Sequence, residues 1–142
     1  FLRTMTLFVG FLIVSTLLCA LVTDFIFTYA VVVMPGYAKL DDRDFIRAFQ
    51  VTDGVIQNNQ PLFMLAWVGS NLSIVATMIL WFIELHGIER WTVITIGFVY
   101  LIGVQGITIR IHLPLNNRLQ RLQIDEIDPE SLSKERNKFE TR

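Results

Sequence analysis

The sequence predicts an all-α integral membrane protein, a helical bundle with three transmembrane helices and one amphipathic connecting helix. The first reason is composition: the 142 residues are 53% hydrophobic, eleven are Phe, and the mean hydropathy is +0.51. A soluble domain of this size exposes most of its residues and needs more polar ones to cover its surface. The second reason is that three apolar runs, at about 5–33, 61–83 and 91–111, reach the roughly 20 residues that a membrane crossing requires. The third is a segment at about 41–58 whose apolar residues recur with helical spacing.

Length, charge and cysteine content exclude several kinds of protein. At 142 residues the chain is a single membrane domain, 1–142. The net charge of −1 and the lack of a basic stripe with interleaved aromatic residues argue against nucleic acid as a partner. The single cysteine, Cys19, lies inside an apolar run, so no intrachain disulfide can form.

The first apolar run contains one acidic residue, Asp24. Arg3 precedes the run, as in a signal peptide, but the run is longer than a signal sequence and lacks a clear cleavage site, so it predicts a membrane helix. Asp24 stands nine residues before Val33, which places it about 13 Å inside that helix end. Two interpretations follow: a buried carboxylate with a partner, or a helix that ends near Thr23 and leaves Asp24 at the interface. The apolar residues after Asp24 favour the buried carboxylate.

The connection to the second run is expected to hold an amphipathic helix. Met34-Pro35-Gly36 should break the first helix. Asp41, Asp42 and Asp44 suit an N-cap and an acidic first turn, Phe45, Phe49, Thr52 and Ile56 form an apolar face, and Arg43, Arg47 and Asp53 fall off that face. Such a helix lies at the membrane interface or caps the bundle.

The second and third crossings are joined by a polar turn, Glu84–Arg90, which makes them an antiparallel pair. Small residues in these runs allow close helix packing: Gly69, Ser73, Gly97, Gly103 and Gly106. Pro114 is expected to end or bend the third helix where the chain becomes polar. The rest of the polar C-terminal segment, 113–142, includes a charged stretch at 128–140 that predicts an exposed helix.

Positive charge near the ends of the runs indicates the orientation. One side carries Arg3 and Arg90, and the other carries Lys39, Arg43, Arg47, Arg110, Arg118 and Arg121. Because cytoplasmic loops are enriched in Lys and Arg, the loop at 34–60 and the C-terminal tail are expected in the cytoplasm. The membrane is expected to be that of the cell or an organelle inner membrane.

Three segments resemble a known family: MPGYAKLDDRDFIRAFQ at 34–50, IQNNQPLF at 56–63 and IRIHLPLNNRLQRL at 109–122. They are similar to a family of small membrane proteins, mostly without an assigned function, that includes the anthrone oxygenase-like proteins of polyketide pathways. The resemblance implies four crossings with an extra helix in the first connection. In that pattern the fourth crossing follows a segment like KERNKFETR, so it is expected to be absent from this chain, which ends at Arg142.

Several polar residues are expected in one half of the bundle, because the first and third runs end on the same side of the membrane. The catalytic candidates are Asp24, Arg110 and His112, and the ligand-binding candidates are Tyr37, Asn58, Gln105, Asn116 and Asn117. For an oxygenase without a metal, His112 would act as the base, and Arg110 or the Asn amides would steady a phenolate-type anion. Arg110 could also turn inward to pair with Asp24.

Each of these residues also has a structural explanation, and that explanation is favoured. Arg110 and His112 suit a membrane interface, and Asn116 and Asn117 suit caps and turns. A metal site is not expected, because His86 and His112 would lie on opposite faces of the membrane, about 30 Å apart. The sequence therefore predicts neither a metal nor a cofactor.

Two functions remain open. The favoured one is a small accessory or structural subunit, not an enzyme, whose partners are the lipid bilayer and other membrane-protein subunits. The alternative, which the family resemblance implies, is a cofactor-independent, anthrone oxygenase-like enzyme. It would take a lipophilic small molecule, a hydrophobic aromatic, as its substrate.

Overall fold

A computed structural model describes residues 2–141, with side chains from Thr6 onward. The protein is 87% helical with no strand in the described residues, so the predicted all-α class is confirmed. Three helical stretches are long and apolar enough to cross a membrane: Thr6–Tyr37, Pro61–Glu84 and Gly87–Gln120. Their mean hydropathies are 2.4, 1.8 and 1.9. The three apolar runs of the sequence therefore form helices that are compatible with an integral membrane protein.

Seven α-helices and three π-helical segments follow one another along the described chain. The α-helices are α1 (Leu2–Thr28), α2 (Met34–Tyr37), α3 (Asp42–Gln57), α4 (Pro61–Glu84), α5 (Gly87–Phe98), α6 (Leu113–Gln120) and α7 (Pro129–Glu140). The π-helical segments are Tyr29–Val33, Val99–Gly106 and Thr108–His112.

The first and third spans extend beyond the bounds predicted from the sequence, because neither Pro35 nor Pro114 ends its helix. A π-helical segment, Tyr29–Val33 or Thr108–His112, directly precedes each of these prolines. A proline ring clashes with the carbonyl of the preceding turn and has no N–H to donate. A wider π turn changes the hydrogen-bond register at this point, and such adjustments let membrane helices tolerate proline. The expected helix break at Met34-Pro35-Gly36 was therefore wrong, and Pro114 does not end the third helix.

The described residues form two compact units. The first unit consists of the described residues up to Phe25 together with Pro61–Gly106, and the second consists of Ile26–Gln60 and the described residues from Ile107 onward. The first unit holds α1 up to Phe25, all of α4 and α5, and the π-helical segment at Val99–Gly106.

Close packing in the first unit depends on small residues, as the sequence indicated. A methyl group added at Gly97 would lie 2.3 Å from the sulfur of Met78, and one added at Gly69 would lie 3.1 Å from Leu18. The helices α4 and α5 are separated only by Leu85 and His86, which is a shorter turn than the predicted Glu84–Arg90. Most side chains on the outer faces are exposed: only 11% to 22% of the apolar window in each span is buried within the chain.

The second unit has its own hydrophobic core. Its buried residues are Phe45, Ile46, Phe49, Leu119, Ile124 and Leu132. They come from α3, α6 and α7 and from the loop before α7. The predicted amphipathic helix is confirmed as α3, whose N-cap Asp41 accepts a hydrogen bond of 2.9 Å from the backbone N–H of Asp44.

The C-terminal helix α7 is part of this core, so the expectation of an exposed helix was wrong for one face of it. Leu132 is 2% exposed, and the Phe139 ring packs edge-on against Phe49 with 4.8 Å between ring centroids. Arg136 lies 4.6 Å from the ring centre of Phe45. Its guanidinium donates hydrogen bonds to Asp42 and to two carbonyls in the loop before α3, those of Ala38 and Leu40. The tail is therefore fastened to α3 by both apolar and charged contacts.

Candidate functional site

A buried carboxylate, Asp53, occupies the α3–α6 interface of the second unit and is only 3% exposed. The Asn116 amide donates to its Oδ1 at 2.9 Å, and the Gln57 and Gln120 amides donate to its Oδ2 at 2.7 and 3.1 Å. The four side chains meet because each helix contributes two of them at a spacing of four residues, which lie on one helix face. Both carboxylate oxygens are thus held by neutral donors.

Gln50 extends this network along the same interface. Its amide donates to the carbonyls of Leu119 and Leu122, at 2.7 and 3.0 Å, near the end of α6. In return, the Gln120 amide donates to the Gln50 carbonyl at 2.9 Å. Carbonyls in the last turn of a helix lack intrahelical partners, so Gln50 serves as a side-chain cap for α6. We refer to Gln50, Asp53, Gln57, Asn116 and Gln120 as the amide network.

Tyr37 contacts the same helix one residue from Asp53. Its hydroxyl forms a hydrogen bond with the Thr52 hydroxyl. Its ring packs edge-on against Phe45, with centroids 6.5 Å apart. Tyr37 and Asn116, both predicted as ligand-binding residues, are therefore brought to adjacent positions of α3.

The remaining candidates of the second unit are not drawn into this network. Arg110 and His112 have exposed side chains, as does Asn58 at the C-cap of α3, and Asn117 is half-buried. Exposed side chains of Arg and His suit the interfacial role that the sequence favoured.

Asp24 and Gln105 belong to the first unit. Asp24 is exposed on α1, in contrast to the buried position that its apolar surroundings favoured. Its proposed pairing with Arg110 stays a prediction.

Gln105 is buried, 4% exposed, and begins a short polar chain within the first unit. Its amide donates to the Tyr100 hydroxyl at 3.0 Å, and that hydroxyl donates to Ser70 at 2.9 Å. The amide oxygen of Gln105 has no hydrogen-bond partner among the described atoms. A second contact, 2.7 Å between the Ser15 and Thr77 hydroxyls, links α1 to α4. The Tyr100–Ser70 and Ser15–Thr77 bonds join different helices, as polar bonds do in membrane helix bundles.

Asp53 was missed by the sequence analysis, which placed it off the apolar face of α3. The structure corrects this, since Asp53 follows Phe45 and Phe49 at intervals of four residues and shares their buried face. The signal that could have revealed it is the polar pairing at the same interval, Asp53 with Gln57 and Asn116 with Gln120.

Metal ligands do not cluster in the part of the chain that the structure describes. No group of three or more His, Cys, Asp or Glu side chains there could hold an ion. Comparison of the chain with models of protein families, with curated proteins and with solved structures gives no match. The family resemblance, and the activity that it implies, therefore stay predictions.

Proposed function

We propose that this chain is a non-catalytic integral membrane protein, a small accessory subunit that packs against a larger membrane complex. The observation that carries the proposal is the environment of Gly10 and Gly103. Both are exposed on apolar helical segments, and a methyl group added at either would meet nothing within 4 Å. Glycine in a helix costs about 1 kcal/mol relative to alanine. A neighbouring helix from another subunit would account for glycine there, because small residues let helix backbones approach closely.

Gly69 and Gly97, also in the first unit, differ in this respect. Gly69 and Gly97 lie against Leu18 and Met78 of the same chain, so their small size already serves internal packing. Gly10 and Gly103 have no such internal neighbour. This contrast within one bundle favours an external partner.

The amide network supports a structural role as well. Asp53 would be the strongest acid–base candidate of the second unit by burial, yet both of its oxygens already accept hydrogen bonds. A general base must reach the proton that it removes from a substrate. Asp53 with its three amide donors instead joins α3 to α6.

The test is the native mass of the protein extracted from its own membrane in mild detergent. The subunit proposal expects a particle far larger than a few copies of 16.4 kDa, with other chains in it. Gly10→Leu and Gly103→Leu should release the chain from that particle. Val9→Leu is the matched control, because Val9 is 50% exposed on α1 and already carries a branched side chain.

Two results would contradict the subunit proposal. One is a wild-type protein that runs as a small monomer or dimer. The other is a large particle that retains both glycine variants. All three tryptophans, Trp67, Trp81 and Trp91, lie in the first unit, so an unchanged fluorescence melting curve would show that a released variant is still folded.

A second candidate function is the cofactor-independent enzyme that the family resemblance implies. The observation that favours it is the unpartnered amide oxygen of Gln105, since an unsatisfied buried acceptor can receive a hydrogen bond from a phenolic substrate. Oxygen uptake by the purified protein with a hydroxylated anthrone would test it. Turnover should be lost in Gln105→Met, and in Asp24→Asn, Arg110→Gln or His112→Ala if those candidates act, while assembly persists. Variants that only weaken packing, with no turnover in the wild type, would exclude the enzyme.

A further inference from the structure

A cavity of about 310 Å³ lies between α6 and α7 in the second unit. Its walls are formed by Leu115, Arg118, Leu119, Glu135, Lys138 and Phe139. This volume is at the lower end of the range for small-molecule sites, which begins at roughly 300 Å³. The cavity does not include any residue of the amide network.

The floor of the cavity is apolar and continuous with the core of the second unit. Leu119 is 2% exposed, and Phe139 packs against Phe45 and Phe49 at centroid distances of 6.2 and 4.8 Å. Leu115 completes the apolar lining. A hydrocarbon chain placed on this floor would be removed from water, which is favourable by roughly 25 cal/mol for each Å² of apolar surface buried.

The rim carries two cations and one carboxylate. Arg118 donates to Glu135 at 2.7 Å, and the Lys138 ammonium lies 3.4 Å from the same oxygen. The side chains of Arg118 and Lys138 are 55% and 60% exposed, whereas that of Glu135 is 16% exposed. An Arg has five N–H donors and a Lys has three, so both cations keep donors for an incoming anion. One carboxylate leaves this rim with a net positive charge.

The position of Arg118 along its helix puts the rim near the end of the third span. Arg118 follows Ile111, the last residue of the apolar run, by seven residues, which is about 10 Å along a helix axis. The headgroup layer on each side of the hydrocarbon core is about 5–8 Å thick. The charged rim is therefore close to the depth at which lipid headgroups meet water.

We propose that this cavity binds an anionic amphiphile, with its acidic headgroup at Arg118 and Lys138 and its alkyl chain on Leu115, Leu119 and Phe139. The shared chemistry is a phosphate or carboxylate joined to a hydrocarbon chain. Two sources supply it: an acidic phospholipid of the bilayer and a free fatty acid. The site is separate from both functions proposed above, and its failure would leave them unaffected.

Native mass spectrometry of the full chain in mild detergent tests this site. Phosphatidic acid is added first, then phosphatidylcholine as the headgroup without net charge, and oleate as the fatty acid. The proposal expects retention of phosphatidic acid or oleate over phosphatidylcholine. Preference for phosphatidic acid identifies the bilayer as the source, and preference for oleate identifies the fatty acid. Equal retention of phosphatidic acid, oleate and phosphatidylcholine would overturn the proposal.

Substitutions then locate the binding. Arg118→Gln and Lys138→Gln should each weaken retention about fivefold, the effect of one Lys or Arg near an anionic lipid. Arg121→Gln is the matched control, because Arg121 is exposed at the end of the same helix and does not line the cavity. A loss in Arg121→Gln equal to that in Arg118→Gln would indicate surface charge alone and would overturn the site.

Glu135→Gln separates binding from a purely structural role. Its carboxylate competes with the ligand for the two cations, so removing that charge should strengthen retention of the anionic amphiphile, again about fivefold. A structural role alone predicts the opposite, because the variant loses the ion pairs that fasten α7. Weaker binding in Glu135→Gln would therefore contradict the proposal.

Discussion

The two units of this chain achieve stability in different ways. In the first unit, helices pack through glycines at Gly69 and Gly97 and through a few hydroxyl contacts, while their outer apolar side chains remain exposed. In the second unit, Phe, Ile and Leu side chains form a buried core, and every ion pair between described side chains belongs to this unit. Lipid gives no hydrophobic drive for helices to associate, whereas water does. The exposed apolar helices of the first unit are compatible with a lipid environment, and the second unit encloses a hydrophobic core of its own.

The largest expected difference between the units concerns the same substitution made in each. Phe49→Ala should lower the free energy of unfolding of the second unit by about 3–5 kcal/mol, because Phe49 is 1% exposed and its removal leaves a cavity. Phe98→Ala in the first unit should have little effect, since Phe98 is 52% exposed. Hydrogen–deuterium exchange of α3 reports the second unit, and tryptophan fluorescence reports the first. Equal effects of the two variants would contradict the comparison.

Arg136 should have the next largest effect. Arg136→Lys keeps the charge but cannot reproduce the hydrogen bonds to Asp42 and to two loop carbonyls together with the contact to Phe45. We expect the free energy of unfolding of the second unit to fall by about 2 kcal/mol. Hydrogen–deuterium exchange of α7, monitored as the protein is heated, measures this change. Lys134→Gln is the control, because its exposed pair with Glu130 should be worth less than about 1 kcal/mol. An Arg136→Lys protein as stable as the control would show that the guanidinium does not hold the tail.

The fold class and the apolar spans could be predicted because they depend on patterns that are local in sequence. Run length specified the three long helices, and the Asp41 cap with the Phe45 and Phe49 stripe specified α3. Helix ends were less predictable, since a proline signals a break only if the helix keeps α geometry. The helix adopts π geometry before Pro35 and before Pro114, so neither proline ends it. No residue pattern in the sequence indicates these π turns.

The amide network could not be predicted for a different reason. Asp53 is a buried carboxylate whose donors come largely from a helix about 60 residues away, Asn116 and Gln120. The sequence shows that these residues are polar, but not that two helices bring them together. Tyr37 and Asn116 were predicted to bind a ligand, which stays a prediction, and the structure shows that both form hydrogen bonds to side chains of α3. Hydrogen bonds between polar residues far apart in the chain are thus the part of the site that could not be predicted from the sequence.

A smaller effect is expected in the first unit, where the Ser15–Thr77 contact joins α1 to α4. A double-mutant cycle with Ser15→Ala and Thr77→Val should give a coupling energy of about 0.6 kcal/mol, the usual value for a polar bond between membrane helices. Thr77→Val keeps the side-chain shape, so the cycle measures the bond and not a cavity. Tryptophan fluorescence during unfolding in detergent provides the measurement. A coupling energy above about 2 kcal/mol would mean that the first unit depends on polar contacts as heavily as the second.

The smallest effect is a pH dependence confined to the second unit. Partial burial opposes ionisation of Glu135, but the hydrogen bond and charge of Arg118, with Lys138, outweigh it and hold the pKa of this carboxyl below its usual range. A carboxyl whose pKa is lower in the folded state stabilises the fold above its unfolded pKa, about 4.3, and loses that contribution as the pH falls through the folded value. The protection of α7 amides from exchange, relative to their intrinsic exchange rate at the same pH, should therefore fall below about pH 4 in the wild type. Glu135→Gln should remove part of this acid sensitivity, whereas Glu130→Gln, an exposed carboxyl on the same helix, should leave it in place. Acid-sensitive exchange of identical size in Glu135→Gln would place the sensitivity in another carboxyl. The tryptophan fluorescence of the first unit should not change over this pH range. The same acid titration therefore also tests whether electrostatic stabilisation is restricted to the second unit.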